Sequence, residues 1–191
     1  DYSKSATGEL QPWYGQKLKD STFVAPTKGD DATTIAKLDP DLIFAPGFAS
    51  NSPEFEKIAK LAPTINSISG QEIDPWQDMV TVMGTVLHQP EKAEEIIETT
   101  NGKITAISEE FPGLAGKTYA LAFMYGNDQL SVLGDPNDGA AKLFSELKMT
   151  MAPKLVAEYQ RSGNPRFGLS TENIPMLDAD VLVVATATPQ Q

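Results

Sequence analysis

Two stretches far apart in this chain repeat one local design. The run Ile35-Ala36-Lys37-Leu38-Asp39-Pro40-Asp41-Leu42-Ile43-Phe44-Ala45 is answered by Ile174-Pro175-Met176-Leu177-Asp178-Ala179-Asp180-Val181-Leu182-Val183-Val184, with four identities in eleven positions. Each reads as the end of a helix, a tight Asp-x-Asp turn and a strand apolar enough for the interior of a parallel sheet. Parallel strands need crossover connections, usually helical, so a chain that uses this device twice is committed to alternating helices and strands. The echo is satisfied either by two lobes of like topology or by convergence on a common turn. With two lobes, the same offset asks for a counterpart of the strand at 117 before Asp1, and for counterparts of the helix and strands after Pro46 beyond Gln191. The chain is therefore expected to be truncated at both ends, since a compact domain rarely leaves a strand such as 181–185 as a bare edge.

The rest of the chain fits the same alternation. Runs of β-formers predict strands at 22–25, 41–46, 64–68, 117–125, 130–133 and 180–186, with helices between most of them. Ser52-Pro53-Glu54 places a side-chain oxygen at a helix N-cap and proline at the first helical position. Asp74-Pro75-Trp76-Gln77 reads the same way, with Gln77 completing a capping-box-like arrangement and Val80, Met83 and Leu87 forming an apolar stripe that makes Trp76 a core residue. After the break at Gln89-Pro90, a second helix runs over 91–111, with Ala93, Ile96, Ile97, Ile104 and Ile107 on one face. At 1.5 Å per residue it spans roughly 30 Å, the width of a small domain, and Gly102 is its weak point.

Composition narrows the chemistry. The chain has no cysteine, which removes thiolate metal sites, disulfides and cysteine nucleophiles. Its single histidine, His88, falls at a helix end, where a polar cap is the simplest role. One imidazole is a poor basis for a zinc or manganese site, so neither a metal centre nor a catalytic group is expected. A formal charge of −11 without a Lys/Arg cluster argues against nucleic acid as a partner.

The helix-turn-strand from Thr34 to Ile43, the run Ser52-Pro53-Glu54-Phe55-Glu56-Lys57-Ile58-Ala59-Lys60-Leu61-Ala62-Pro63-Thr64, and Leu169-Ser170-Thr171-Glu172 leading into Leu177-Asp178-Ala179-Asp180-Val181 resemble, in order and spacing, the class III periplasmic binding proteins for iron–siderophores and cobalamin. The likeness is strongest to the hydroxamate-siderophore (ferrichrome) binders. It implies an α/β fold of two Rossmann-like lobes bridged by a single long α-helix. The lobes would run over 1–89 and 112–191, each incomplete at its outer end, with the bridge at 90–111. It implies a protein in the periplasm, or held at the outer face of the cytoplasmic membrane by a lipid anchor. There it would act as a monomer that captures a ferric siderophore between the lobes and delivers it to an ABC-transporter permease, with no cofactor.

The resemblance also nominates residues. Phe48 follows the strand ending at Pro46 and matches an aromatic pocket position; Phe167 falls where the hydroxamate binders carry another pocket aromatic. Both are phenylalanine where Tyr or Trp is the pattern, which removes polar handles. Lys28 and Arg166 are the candidates for the cation that meets oxygens of the ferric chelate, Arg166 having a fork suited to carboxylate or hydroxamate oxygens. Tyr125, at the end of the first strand of the second lobe, could turn its ring to the cleft, while Trp13 and Tyr14 read as packing residues. Glu54, then Glu56, are the candidates for docking to the permease, although acids in a first helical turn also favour the helix dipole.

Two other readings share these residues. The same fold could hold haem or cobalamin on Phe48, Phe167 and Tyr125. A doubly wound enzyme could use Asp128 and Asp135 as acid and base, but the chain has neither a phosphate loop nor a dinucleotide fingerprint. The sparse cations favour a neutral or weakly charged ferric hydroxamate over a catecholate.

Overall fold

A computed structural model describes residues 31–45, 53–70, 73–124 and 129–186, which divide into two compact units, 1–66 and 67–191. In the first, helix α1 (Asp31–Ala36) leads through a turn with Asp39 at φ 47° into strand β1 (Ile43–Phe44). Helix α2 (Pro53–Ile58) then returns the chain to strand β2 (Thr64–Ile65), which pairs parallel with β1, Ile43 opposite Thr64. Ile43, Ala45 and Ile58 form a small core against Ala32, Ile35 and Ala62. The strands expected at 41–46 and 64–68 thus exist but are short, and the one expected at 22–25 lies outside the described residues, as does the Ser52 cap.

The second unit begins with helices α3 (Trp76–Val86) and α4 (Pro90–Glu110), followed by a mixed sheet. Strand β3 (Thr118–Met124) is its centre. On one edge it pairs parallel with β7 (Val181–Thr186) along its length; on the other it pairs parallel with β5 (Thr150–Met151) at its start and antiparallel with β4 (Gln129–Leu133) at its end. Strand β6 (Arg166–Ser170) pairs antiparallel with β4, and so runs parallel to β3. Helices α5 (Lys142–Glu146) and α6 (Pro153–Ser162) complete the unit. Ala120, Ala122, Val132, Leu133 and Leu155 are essentially inaccessible to water. Burying each larger side chain of this kind is worth about 1.5–3 kcal/mol, and this is the principal source of the unit's stability.

The long helix forms as its periodicity predicts, 21 residues without interruption through Gly102. Helix α3 also forms, but not by the expected cap. No side chain caps its first turn: the Asp74 carboxylate turns back to accept the backbone N–H groups of Ile68 (3.0 Å) and Ser69 (2.7 Å) and the hydroxyls of Ser67 and Ser69. Gln77 donates instead to Glu146 on α5 at 2.8 Å. Two backbone donors offered by one loop outcompete the helix's own N–H groups for a single carboxylate. The α3 stripe differs too. Val80, Met83 and Leu87, with Trp76, line an open apolar groove against α4 rather than a sealed core, and Leu87 is 60% exposed.

His88 takes the cap role expected of it. It sits at φ 55° just past α3, donating its N–H to the Thr85 carbonyl, while the Gln89 N–H reaches the Gly84 carbonyl at 2.7 Å. This left-handed closure satisfies two otherwise orphaned carbonyls. The echo is also real in outline: both copies lead through an aspartate turn into a parallel strand. The second strand is not buried, however, since Leu182, Val183 and Val184 are 49%, 36% and 41% exposed.

Candidate functional site

Ligands of open α/β sheets collect at the carboxyl ends of the parallel strands, but in the second unit buried polar chemistry gathers at the opposite, amino ends, where the antiparallel β4 finishes and β6 begins. It is organised by the loop Gly134-Asp135-Pro136-Asn137-Asp138-Gly139, which follows β4 and holds two buried carboxylates. The N–H groups of Gly134 and Asp135 both donate to the Pro165 carbonyl, tying the loop to the start of β6. Asp135 accepts the Asn137 backbone N–H at 2.9 Å, the Asn137 amide at 3.3 Å and the Tyr159 hydroxyl, and its charge raises the Tyr159 phenol above the ordinary value. Its carboxylate is thereby engaged in shaping the loop. Asp128, its proposed partner in acid–base chemistry, lies outside the described residues.

Asp138 is the more consequential of the two. One oxygen caps the turn Gly139–Ala141 by accepting the Ala140 N–H at 2.8 Å. The same carboxylate receives Arg166 in a two-pronged bond, Nε to Oδ2 at 3.2 Å and Nη2 to Oδ1 at 2.9 Å. The Arg166 and Asp138 side chains are 13% and 1% exposed, so this is a buried ion pair. Removing one member of such a pair typically costs about 3–5 kcal/mol, because the survivor stays buried and uncompensated. Burial, and then the Asp138 charge, push the Tyr119 phenol up to about 12, keeping it neutral where it stacks on Phe144 at 4.0 Å.

The pair fixes the guanidinium 5.4 Å from the centre of the Phe123 ring, within cation–π range. Phe123 stands opposite Ser131, and Ser131 opposite Gly168, so the three share one face of the sheet with Arg166, two residues before Gly168. Nothing lies within 4 Å of the position a side chain would occupy at Gly168. The result is an open patch with an aromatic ring, a hydroxyl and bare backbone, edged by a guanidinium held by its own carboxylate. Such a patch can stack on a flat or curved organic surface and hydrogen-bond to it.

The loop is braced from below. The Gly139 N–H donates to the Ile73 carbonyl at 2.9 Å, and a side chain at 139 would run into the backbone of Ile73 and Asp74. Only glycine lets the segment before α3 lie against the turn that Asp138 caps. Burial would raise the Asp74 carboxyl, but the Ser69 hydroxyl and N–H, the Ile68 N–H and the Ser67 hydroxyl together hold it below its ordinary value.

The residues nominated from sequence scatter differently. Arg166 lies in this patch. Phe167, its neighbour, points to the opposite face and is 6% exposed in the core, its ring packed beneath Gly134. Glu54 and Glu56 are exposed in the first turn of α2, in the first unit. Phe48, Lys28, Tyr125, Trp13 and Tyr14 lie outside the described residues. Asp138, Phe123 and Ser131 went unnamed in the sequence reading. The period of two along 119–123 places Phe123 on the Tyr119 face, but nothing in the sequence pairs Asp138 with a residue 28 positions on. The groove between α3 and α4, about 360 Å³, is lined almost wholly by apolar groups and offers little to orient a polar ligand.

Residues 12–191 match the family model described as "Periplasmic binding protein". No curated protein sequence matches the chain. Among solved structures, Staphylococcus aureus SirA complexed with staphyloferrin B is 19% identical at a TM-score of 0.72, covering 98% of this chain and 64% of its own. Streptococcus pneumoniae TIGR4 PiaA in complex with ferrichrome is 21% identical at a TM-score of 0.67, covering 94% and 62%. FhuD2 from Staphylococcus aureus with bound ferrioxamine B is 17% identical at 0.66, covering 88% and 63%. At these identities the likeness is one of fold, and the chain spans under two thirds of the length of each of these three structures.

Proposed function

The chain belongs to the periplasmic binding protein family, and from that premise we propose that it captures a ferric siderophore outside the cytoplasmic membrane and delivers it to an ABC importer. The observation that carries this reading is the match of nearly the whole chain to solved folds that hold such ligands: staphyloferrin B, ferrichrome and ferrioxamine B. The open patch of Phe123, Ser131, Gly168 and Arg166 supports it from the side of chemistry. In this reading the lobes are 1–89 and 112–191 and the bridge is 90–111. The ligand would be met by Arg166 and its patch and by Phe48, Tyr125 and Lys28, while Phe167 supports Arg166 from the core. Glu54 and Glu56 face the permease. The protein works as a monomer, free in the periplasm or held at the outer membrane face by a lipid anchor. Binding rather than catalysis is its task.

The test is a titration followed by intrinsic tryptophan and tyrosine fluorescence, with ferrioxamine-type, ferrichrome-type, citrate and catecholate ferric complexes, and with haem and cobalamin alongside. Saturable quenching by a ferric chelate at submicromolar concentration is the expected result. Quenching by haem or cobalamin alone moves the reading to those ligands. No response from a folded protein removes it.

A further inference from the structure

Helices α3 and α4, joined by Leu87-His88-Gln89, lie antiparallel: a side chain at Gly84 would run into Ala93, and Thr81 and Thr85 line a shallow depression together with Ala93 and Ile97. On each helix the next residue of the same stripe stands four positions farther from the turn. That residue is Gln77 on α3 and Asn101 on α4, so the two amides occupy the rung beyond Thr81 and Ile97. Gln77 Nε2 in turn donates to Glu146 Oε1 on α5 at 2.8 Å, and α4 packs on α5 as well. Three side-chain oxygens of this junction are buried without a hydrogen-bond partner: Gln77 Oε1, Asn101 Oδ1 and Glu146 Oε2. No lysine or arginine among the described residues lies within ion-pair distance of Glu146.

All three are acceptors, and a buried acceptor costs free energy until a donor or a cation reaches it. Their shared rung calls for one positive group rather than three separate partners. We infer that Gln77, Asn101 and Glu146 form a site for a monovalent alkali cation, sodium or potassium, at the junction of α3, α4 and α5. Carboxylate and amide oxygens are hard ligands, which suit such ions better than they suit softer transition metals. One carboxylate with two neutral carbonyls balances a single positive charge, whereas a calcium ion takes six to eight oxygens. The ion adds a second link between the helix pair and α5 to the one made by the Gln77–Glu146 hydrogen bond, and so steadies α4 along its length. This inference is independent of the siderophore reading: it concerns a different ligand, held by residues outside the Arg166 patch.

The experiment is the melting temperature of the full chain in sodium, potassium or N-methyl-D-glucamine chloride at one ionic strength. Equal ionic strength matters because a chain of formal charge −11 gains stability from any salt that screens its self-repulsion. The wild type is expected to melt about 2–4 °C higher in the sodium or the potassium salt than in that of the bulky organic cation, the rise produced by an ion that binds only the folded state and exceeds its dissociation constant several-fold. The larger of the two rises names the ion. Glu146→Gln keeps an acceptor for the Gln77 amide and brings N–H donors to the orphaned oxygens, so it should stay folded by circular dichroism and lose the cation-specific rise. Asn101→Leu removes one ligand without adding a polar group and should lose it too. A rise that survives Glu146→Gln places the ion elsewhere and overturns the inference; if that variant does not fold, Asn101→Leu carries the same decision. A wild type that melts alike in all three salts also overturns it, because water or the Asn101 amide turned over then supplies the donor.

Discussion

Asp180 shows how much one exposed carboxylate can organise. It accepts the Thr118 N–H and hydroxyl at 2.8 Å each and the Lys117 ammonium at 2.9 Å, while its own N–H donates to the Thr118 hydroxyl. The Thr118 N–H, then Lys117 and the Thr118 hydroxyl, pull its carboxyl from 3.8 to about 2. A depressed value means that its contribution is fully present above 3.8 and is lost as pH falls through about 2. Asp180→Asn is therefore expected to lower the urea midpoint at neutral pH, with the gap from wild type closing as the pH approaches 2. A gap independent of pH would mean that the amide loses geometry rather than charge. The Asp-x-Asp turn was legible because aspartate declares its local preference, but Thr118 as its partner was not, because it lies 62 positions away in sequence. Arg166 illustrates the same limit. Its fork was read as meeting carboxylate or hydroxamate oxygens of a ligand, and the carboxylate it meets in the structure is Asp138 of the chain itself.

Elements whose pattern is internal were the easiest to foresee. Helix α4 carries its own period and its own punctuation, Pro90 at the start and Pro112-Gly113 after the end, and it forms over Pro90–Glu110. Gly102 is its one conformational liability. It is exposed, helical and has nothing within 4 Å of a would-be side chain, so Gly102→Ala should stabilise the chain by about 1 kcal/mol. The measurement is the urea midpoint or melting temperature; a fall would show that the helix needs the freedom of glycine there. Strands β5 and β6 were missed because their pattern is not internal. Thr150–Met151 is too short to display alternation, and Arg166–Ser170 has glycine at its centre; both are strands only because β3 and β4 offer them an edge. The α3 cap failed for a related reason: Asp74 and Gln77 have the right spacing, and competing partners on the 67–69 loop and on Glu146 claim them.

For the molecule as a whole, the alternation of strands and helices identified the fold class, while the division of labour between surface and pocket came only with tertiary neighbours. A chain of formal charge −11 repels other copies of itself and attracts basic partners over about a Debye length, roughly 8 Å at physiological salt. Delivery to a permease would use that field locally. Glu54 and Glu56 are exposed and, in a helix only six residues long, make little use of a helix dipole, which leaves them free to meet arginine or lysine on a membrane partner. The double reversal Glu54→Lys/Glu56→Lys is expected to leave the affinity for the ferric chelate unchanged, because neither side chain belongs to the patch on the second unit. The same variant should weaken association with the permease in detergent or nanodiscs by on the order of tenfold, with the loss shrinking as salt is raised. Equal binding of wild type and variant to the permease would dissociate these acids from docking and return them to the role of ordinary first-turn residues. A loss of chelate affinity in the same variant would instead mean that the ligand site extends to α2, and docking would have to be sought on another face.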